Sequence, residues 1–344
     1  MNTVLILLVL AETFNGITSW VLETDPESDY SNVKNFQWTT DSSALQKFSH
    51  LEQLHFINAT IDTVTQNFKN QLKNCVWLKF TGGKVKTVYM NSKLSMLNLQ
   101  DTSTEKVIIE PGQEYILGTL VISRSRLTRI PHNINQLKQM NRLDIMDSWI
   151  ETVLLNDLDG LDNLYEINLS GNRIRRIDSN GLISFPKLFR LKLQNNQLQQ
   201  LDTCRWSMPE LFEFLLNNNR LTHFAIGHFS SLNHLTLASN PLNCAWLKSL
   251  VSYRSFFYHD IYTCDESSQG DFGLHCPSNL GESNDKNANR DADLTGRFQK
   301  IDTALQKLEA KLSEQRNMVN DIIESIYRTD VERAFESRRI IFPS

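Results

Sequence analysis

The sequence predicts an α/β solenoid with a C-terminal cap, followed by an α-helical coiled-coil tail. Two observations lead to this prediction. One apolar pattern recurs along most of the chain with starts 19 to 24 residues apart, and a second pattern, with alternating steps of four and three residues, occupies the last part. Repeats of the first length are typical of solenoids, and a spacing of four and three is typical of coiled coils.

The clearest repeat is LYEINLSGNRIRRI, at residues 164–177. It places aliphatic residues and one asparagine at fixed offsets, namely Leu164, Ile167, Leu169, Asn172, Ile174 and Ile177. Further copies begin at Leu188, Leu211 and Leu232, and weaker ones at Leu51, Cys75, Leu94, Leu117 and Met140. Neither a helix nor a strand alone has this spacing. It is the L-x-x-L-x-L-x-x-N-x-L signature of the leucine-rich repeat, which predicts a horseshoe with a parallel sheet on its concave side.

The asparagines of four repeats, Asn172, Asn196, Asn219 and Asn240, are predicted to form a ladder. Each amide would bond backbone groups of its own turn and of the neighbouring coil, because a buried amide is tolerated only when it is hydrogen-bonded. Upstream repeats have Ser148, Ser125, Thr102, Gly83 and Ala59 at this position. We therefore expect the N-terminal coils to be less regular.

The N-terminal segment is predicted to be a signal peptide at residues 1–19, with cleavage within residues 16–20. Its apolar run, residues 4–11, is too short to span a bilayer. The alternative is a buried N-terminal segment. An N-terminal cap at residues 20–50 and about eight or nine repeats at residues 51–242 would follow. No later stretch is long and apolar enough to span a membrane, so we expect a secreted protein.

Two glycosylation sequons agree with secretion, at Asn58 and Asn168. Asn168 would lie outward on a concave-face strand, where a glycan would obstruct that face. Asn58 is therefore the favoured acceptor.

The last repeat runs into NPLNCAW, residues 240–246, which resembles the opening of a leucine-rich-repeat C-terminal cap. The resemblance implies a cap at residues 243–276, in which a helix is tied to the following loop by a disulfide between Cys244 and Cys264. Cys75 occupies an apolar consensus position and is predicted to be a buried thiol. The state of Cys204 stays open, and Cys276 has no obvious mate.

A polar linker is predicted at residues 277–290 and a coiled coil at residues 291–338. The predicted seam comprises Leu294, Phe298, Ile301, Leu305, Leu308, Leu312, Val319, Ile322 and Ile326, with a polar break at Gln315. The alternative is one amphipathic helix docked on the solenoid, for which a wider apolar stripe would be usual.

This combination of segments resembles the leucine-rich immune molecules of mosquitoes, secreted proteins of the haemolymph, although the coil is shorter than is usual in that family. The resemblance implies disulfide-linked homo- or heterodimers that bind and stabilise complement-like thioester proteins. Cys276 matches the linking cysteine of the family by its position between solenoid and coil. Pairing of Cys276 with Cys204 within one chain is the alternative.

A binding function is predicted for the concave face. Its candidate residues combine charge with scattered apolar groups, which suits a protein ligand: Trp77, Met96, Arg142, Asp144, Arg190, Lys192, Glu213 and Leu215. An extracellular structural or adhesive protein is the alternative. The sequence has no G-x-S-x-G or H-E-x-x-H motif and no paired histidines at ligand spacing, so an enzyme, a cofactor and a metal are not expected. A formal charge of −4 does not suggest nucleic acid as a partner.

Overall fold

The computed structural model describes residues 10–14, 17–24, 30–38, 43–253 and 264–265, together with Lys307 and Lys311. The chain divides into two units, residues 1–276 and 277–344. The strands of the first unit are β1 Leu10–Phe14, β2 Ile17–Thr24, β3 Ser31–Lys34, β4 Gln53–Val64, β5 Trp77–Tyr89, β6 Met96–Gln100, β7 Lys106–Ile108, β8 Thr119–Ser123, β9 Arg142–Met146, β10 Thr152–Leu154, β11 Glu166–Asn168, β12 Arg176–Asp178, β13 Ile183–Ser184, β14 Arg190–Lys192, β15 Trp206–Ser207, β16 Glu213–Leu215, β17 His234–Thr236, β18 Leu242–Asn243 and β19 Cys264–Asp265. Its helices are α1 Ser43–Gln46, α2 Gln66–Gln71 and α3 Cys244–Tyr253, with 3-10 turns at Ile134–Gln136 and Leu155–Leu158.

The main sheet contains one strand from each repeat. From β3 to β17 its strands pair in parallel in the order β3-β4-β5-β6-β8-β9-β11-β14-β16-β17. Each connection leaves the sheet and returns one strand further on, so that the coils stack as a solenoid. Parallel strands require such crossovers, and the repeated sequence supplies one per coil.

The apolar positions of the repeat face the core. Leu54 and Phe56 of the first repeat, and the two matching residues of every later repeat, are at most 3% exposed. Strand side chains alternate between the two faces of a sheet, so the residues between them point away from the core. These intervening residues form what we call the outward sheet face.

The asparagine of each C-terminal repeat holds two successive coils together. The Asn196 amide nitrogen donates to the carbonyls of Leu169 and Leu193, both at 3.0 Å, and its oxygen accepts from the Ile174 N–H at 3.0 Å. The amides of Asn172, Asn219 and Asn240 bond in the same three ways. The side chain thus satisfies backbone groups that the turn would otherwise leave buried and unpaired.

In the upstream coils, other interactions take the place of the asparagine side chain. Ser125 and Ser148 hydroxyls bond each other at 2.8 Å, and the Thr102 hydroxyl bonds that of Thr104 at 2.8 Å. In the first two repeats the strands simply continue: β4 and β5 pair from Gln53↔Trp77 to Val64↔Val88, passing Ala59↔Gly83. These coils turn through a left-handed residue rather than an asparagine side chain, with φ of +56° at Asn58.

An antiparallel extension precedes the parallel strands, because β1 pairs with β2 and β2 with β3. Behind it, Phe36 stacks edge-on against Phe56 with ring centroids 5.3 Å apart and covers the first coil together with Phe48 and Phe68. Cleavage within residues 16–20 would remove β1. The signal peptide stays a prediction.

The C-terminal end of the solenoid is covered by α3. Trp246 is fully buried, its indole N–H donates to the Phe224 carbonyl at 3.1 Å, and the two rings lie 5.4 Å apart. Leu250 is also buried. The helix begins where the Asn243 side chain accepts a hydrogen bond from the Trp246 N–H, as expected of an N-terminal cap.

Candidate functional site

The outward sheet face contains the residues that the sequence nominates for binding. Arg142 and Asp144 lie on β9, Arg190 and Lys192 on β14, and Glu213 and Leu215 on β16. Trp77 and Met96 lie on β5 and β6. The structure divides these residues into two groups with different surroundings.

The first group is a row of alternating charges. Strand register places Arg142 beside Glu166, Glu166 beside Arg190, and Arg190 beside Glu213. Arg190 lies 3.5 Å from both carboxylates, and Lys192 donates to Glu166 at 2.7 Å. Opposite charges directly across strands stabilise one another. Arg142 also pairs with Asp144 at 2.7 Å. We call these oppositely charged side chains the charge network: Arg142, Asp144, Glu166, Arg190, Lys192 and Glu213.

Burial shapes the ionisation of its two most enclosed acids. Burial raises the pKa of Asp144, and the hydrogen bond from Arg142 at 2.8 Å opposes that rise without cancelling it. Burial also acts to raise the pKa of Glu166, but Lys192, Arg142 and Arg190 together outweigh it, so this pKa lies below its usual value. Glu166 is therefore held as an anion, while one oxygen of Asp144 has no hydrogen-bond partner among the described residues.

An aromatic stack borders the charge network. Tyr165, Phe189 and Phe212 occupy the same position in three successive coils, with ring centroids 5.2 Å and 4.9 Å apart and planes within 3° of parallel. Tyr165 is 43% and Phe212 37% exposed. The Arg190 guanidinium lies 5.6 Å from the centroids of both Tyr165 and Phe189. Arg190 therefore joins the aromatic stack to the charge network.

Sequence reasoning missed Glu166 and the stack. A signal existed for both: LYE, LFR and LFE place an aromatic residue and then a charge at one offset of three successive repeats. Compared across repeats, that offset would have indicated adjacent rings and alternating charges.

The second group lies near the N-terminus and is contacted by the chain itself. Tyr30 places its hydroxyl 3.9 Å from the sulfur of Met96, and its ring centroid lies 6.2 Å from that of Trp77. Lys79 lies 5.8 Å over the Tyr30 ring. Trp77 and Met96 are thus partly covered, and we place the candidate site on the aromatic stack and charge network instead.

Comparison with known proteins agrees with this architecture. Neither a protein-family model nor a curated protein matches the sequence. Among solved structures, the leucine-rich repeat domain of LRIM1 matches with a TM-score of 0.50 and 16% identity, over 67% of this chain and 81% of that one. The LRIM1/APL1C complex matches with a TM-score of 0.51 and 18% identity, over 89% of this chain and 70% of that one. LRIM1 and APL1C are immune proteins of mosquitoes. Such identities show the fold alone.

The fold is a leucine-rich repeat solenoid.

Three of the five cysteines of this leucine-rich repeat chain have a described bonding state. Cys75 is a buried free thiol, and burial raises its pKa to about 11. Cys204 and Cys244 each form a disulfide bond. Cys276 and the side chain of Cys264 lie outside the described residues, so the Cys244–Cys264 bridge and the interchain bond of Cys276 stay predictions. β18 pairs with β19 so that Cys264 lies beside Leu242. Leu242 precedes Cys244 by two residues in the sequence.

The two sequons of the solenoid differ in accessibility. Asn58 is exposed, with its amide 2.8 Å from the Asn35 side chain. Asn168 is 7% exposed, and its side-chain nitrogen, the atom that would carry the glycan, donates to the Met146 sulfur at 3.0 Å. A glycan at Asn168 would have to displace this contact and come out of a nearly buried position. Asn58 stays the favoured acceptor.

The described residues hold no group of three or more histidine, cysteine or acidic side chains that could bind a metal ion. No described helix is long and apolar enough to cross a bilayer. The predicted linker and the coiled-coil seam from Leu294 to Ile326 lie outside the described residues, so both remain predictions.

Proposed function

We propose that this chain is a secreted binding protein of insect innate immunity, and that it contacts a partner protein through the aromatic stack and the charge network. The observation that carries the proposal is an exposed apolar stack directly beside ordered charges. Apolar patches bordered by polar groups mark interaction sites, and tyrosine and arginine dominate the energetics of many interfaces. The fold likeness to LRIM1 and to the LRIM1/APL1C complex supports the immune setting.

The site is preorganised for binding. Tyr165, Phe189 and Phe212 are stacked before any partner arrives, and Arg190 is oriented by Glu166 and Glu213. Little side-chain freedom is then lost on association, which favours affinity. The charge network contains positive and negative side chains. It would therefore orient a complementary partner and would not attract every strongly charged molecule.

The specific partner is proposed on the sequence resemblance alone. We propose a dimer formed through the coiled coil and Cys276, and binding of complement-like thioester proteins by that dimer in the haemolymph. The alternative is an extracellular adhesive protein, which would be found fixed in tissue rather than circulating.

The test is binding of a purified complement-like thioester protein to the secreted chain carrying Tyr165→Ala and Phe212→Ala. We expect at least a tenfold loss of affinity, because both exposed rings would leave the interface. Loss of the two aromatic pairs should lower stability by about 1–3 kcal/mol, in addition to the apolar area that the two rings no longer bury.

The matched control carries Ile116→Ala and Leu182→Ala, which removes exposed apolar side chains away from the stack, 53% and 74% exposed. It should bind like the wild type. Equal binding by wild type and the Tyr165/Phe212 variant would remove the proposed site, and absence of binding by the wild type would remove the proposed partner.

A further inference from the structure

A second ordered surface follows the asparagine ladder rather than the sheet. In five successive coils, the residue after the ladder position is Arg126, Trp149, Arg173, Gln197 or Arg220. The N–H of each donates to a carbonyl of the preceding coil at 2.8 to 2.9 Å. These side chains are therefore held in register. Arg175, two residues after Arg173, is also exposed, and its N–H donates to the Glu151 carbonyl of the preceding coil at 2.9 Å. We call Arg126, Trp149, Arg173, Arg175 and Arg220 the arginine row.

The turns explain why the row projects outward. The residue before each ladder position has a positive φ, for example +49° at Asp147, +70° at Gly171 and +56° at Asn218. The ladder side chain then points inward and the next one points to solvent. The same local geometry recurs in each coil, so the exposed side chains align along the solenoid.

The guanidinium groups of the row have few partners. Arg173 lies 4.8 Å over the ring of Trp149, which is itself 43% exposed. Arg126 reaches Glu105 only at 3.9 Å. Within the described part of the chain, Arg173, Arg175 and Arg220 make no ion pair. This concentration of positive charge is local, since the whole chain has a formal charge of −4.

The spacing indicates an extended ligand. Neighbouring coils lie about 4.8 Å apart, so Arg126, Arg173 and Arg220, which occupy every second coil, are about 10 Å apart along a line. A compact anion would need convergent donors, which a line does not supply. A chain with regularly repeated anionic groups would meet one guanidinium after another, and arginine suits sulfate and phosphate oxygens.

We propose that the arginine row binds an extended anionic polysaccharide bearing sulfate or phosphate groups. The exposed Trp149 indole would pack against a sugar ring between two charged contacts. This site is separate from the aromatic stack, and the inference does not depend on the proposed immune function.

The experiment measures binding of the full-length secreted protein to two polysaccharide probes, size-defined heparin fragments and phosphomannan, so that sulfate and phosphate sources are distinguished. A single-stranded oligonucleotide is measured beside them as a different class of anionic chain. We expect the wild type to bind at least one polysaccharide probe. The variant Arg173→Gln, Arg175→Gln and Arg220→Gln should bind at least tenfold more weakly.

The matched control changes three exposed lysines that lie outside the row: Lys73→Gln, Lys138→Gln and Lys187→Gln. It alters the net charge equally and should bind within about twofold of the wild type. Plotted as log K against log salt concentration, the slope for the row variant should be shallower by about two to three, since each lost ionic contact releases about one counter-ion fewer.

Three outcomes would overturn the proposal. The wild type could bind neither polysaccharide probe. The lysine control could also lose as much affinity as the row variant, which would show that the loss of affinity depends on net charge and not on the arginine row. A single-stranded oligonucleotide could also bind more tightly than both polysaccharides, which would assign the row to another class of ligand. None of these assays involves a thioester protein, so their failure is distinguishable from failure of the proposed function.

Discussion

At the scale of single residues, Gly83 shows how closely the first coils approach. It has a φ of +82°, and a Cβ at this position would overlap the backbone of Ala59 on the adjacent strand. Any L-residue would be strained here and would also push β5 away from β4. Only glycine permits the two long strands to pair without interruption through the ladder position.

We predict that Gly83→Ala destabilises the protein by about 3 kcal/mol or more. Left-handed backbone costs about 1–2 kcal/mol for an L-residue, and overpacking adds about 1–3 kcal/mol. Urea denaturation of the full chain measures the change in unfolding free energy.

Gly112 is a control that separates the strain of a left-handed backbone from steric overlap of the added Cβ. It has a φ of +78°, but nothing lies within 4 Å of a Cβ built there. Gly112→Ala should therefore show only the backbone contribution of about 1–2 kcal/mol. Equal effects at the two positions would rule out overlap with Ala59 as a cause at Gly83.

At the scale of elements, His55 on β4 connects three neighbouring strands. Its two ring nitrogens lie 2.9 Å from the Asn32 side-chain oxygen and 2.8 Å from the Thr81 hydroxyl. Burial, aided by Lys79, lowers the pKa of His55 from 6.5 to about 4. The imidazole is therefore neutral in the folded protein at pH 5 but protonated in the unfolded chain.

We predict that this histidine makes the protein less stable in mild acid. A depressed histidine pKa contributes stability that is complete above about pH 6.5 and is lost as the pH falls towards 4, because only the unfolded chain takes up the proton. His55 is only half-buried, so the loss between pH 7.5 and pH 5 should be about 1 kcal/mol. Urea denaturation at both pH values measures it.

His55→Gln is the control, since it keeps hydrogen-bonding groups without a proton to gain. Its stability should change less between the two pH values than that of the wild type. Some dependence should remain, because burial also lowers the pKa of His223. An undiminished pH dependence in the variant would remove His55 as the cause.

At the scale of the whole molecule, the cysteines limit how chains can be joined. The chain has five cysteines; Cys75 is a free thiol, and Cys204 and Cys244 are disulfide-bonded. The mates of Cys204 and Cys244 must then be each other, Cys264 or Cys276. A Cys244–Cys264 bridge would leave Cys276 as the mate of Cys204, so that bridge and an interchain bond at Cys276 compete.

A denaturing gel with and without reductant decides between them. The proposed covalent dimer predicts a band near twice the monomer mass that disappears on reduction and in a Cys276→Ser variant. The alternative, Cys204 bonded to Cys276 within one chain, predicts a wild-type monomer both with and without reductant.

A Cys204→Ser variant is the informative comparison. It should leave a Cys276-linked dimer unchanged, whereas under the alternative it would release Cys276 and generate a new reductant-sensitive dimer. A wild-type monomer would leave the coiled coil to form a noncovalent or heteromeric pair, and would remove the covalent step from the proposed function.

The sequence by itself determined the repeat, the residues that face the core and the asparagine positions. These features depend on periodicity along the chain, and the same apolar positions recur in each repeat. The fourth position of the repeat is accordingly buried in successive coils, as at Ile167 and Leu191. The coiled coil was also predicted from periodicity. Its seam residues lie outside the described residues, so it remains a prediction.

Only the tertiary structure decided which outward residues form a site. Tyr165, Phe189 and Phe212 become one surface because successive coils place them in register, at positions more than twenty residues apart in sequence. Tyr30 reaches Met96 from outside the repeats, where no periodic signal exists. Periodicity specifies which side of a coil a residue occupies, whereas its neighbours depend on how the coils stack.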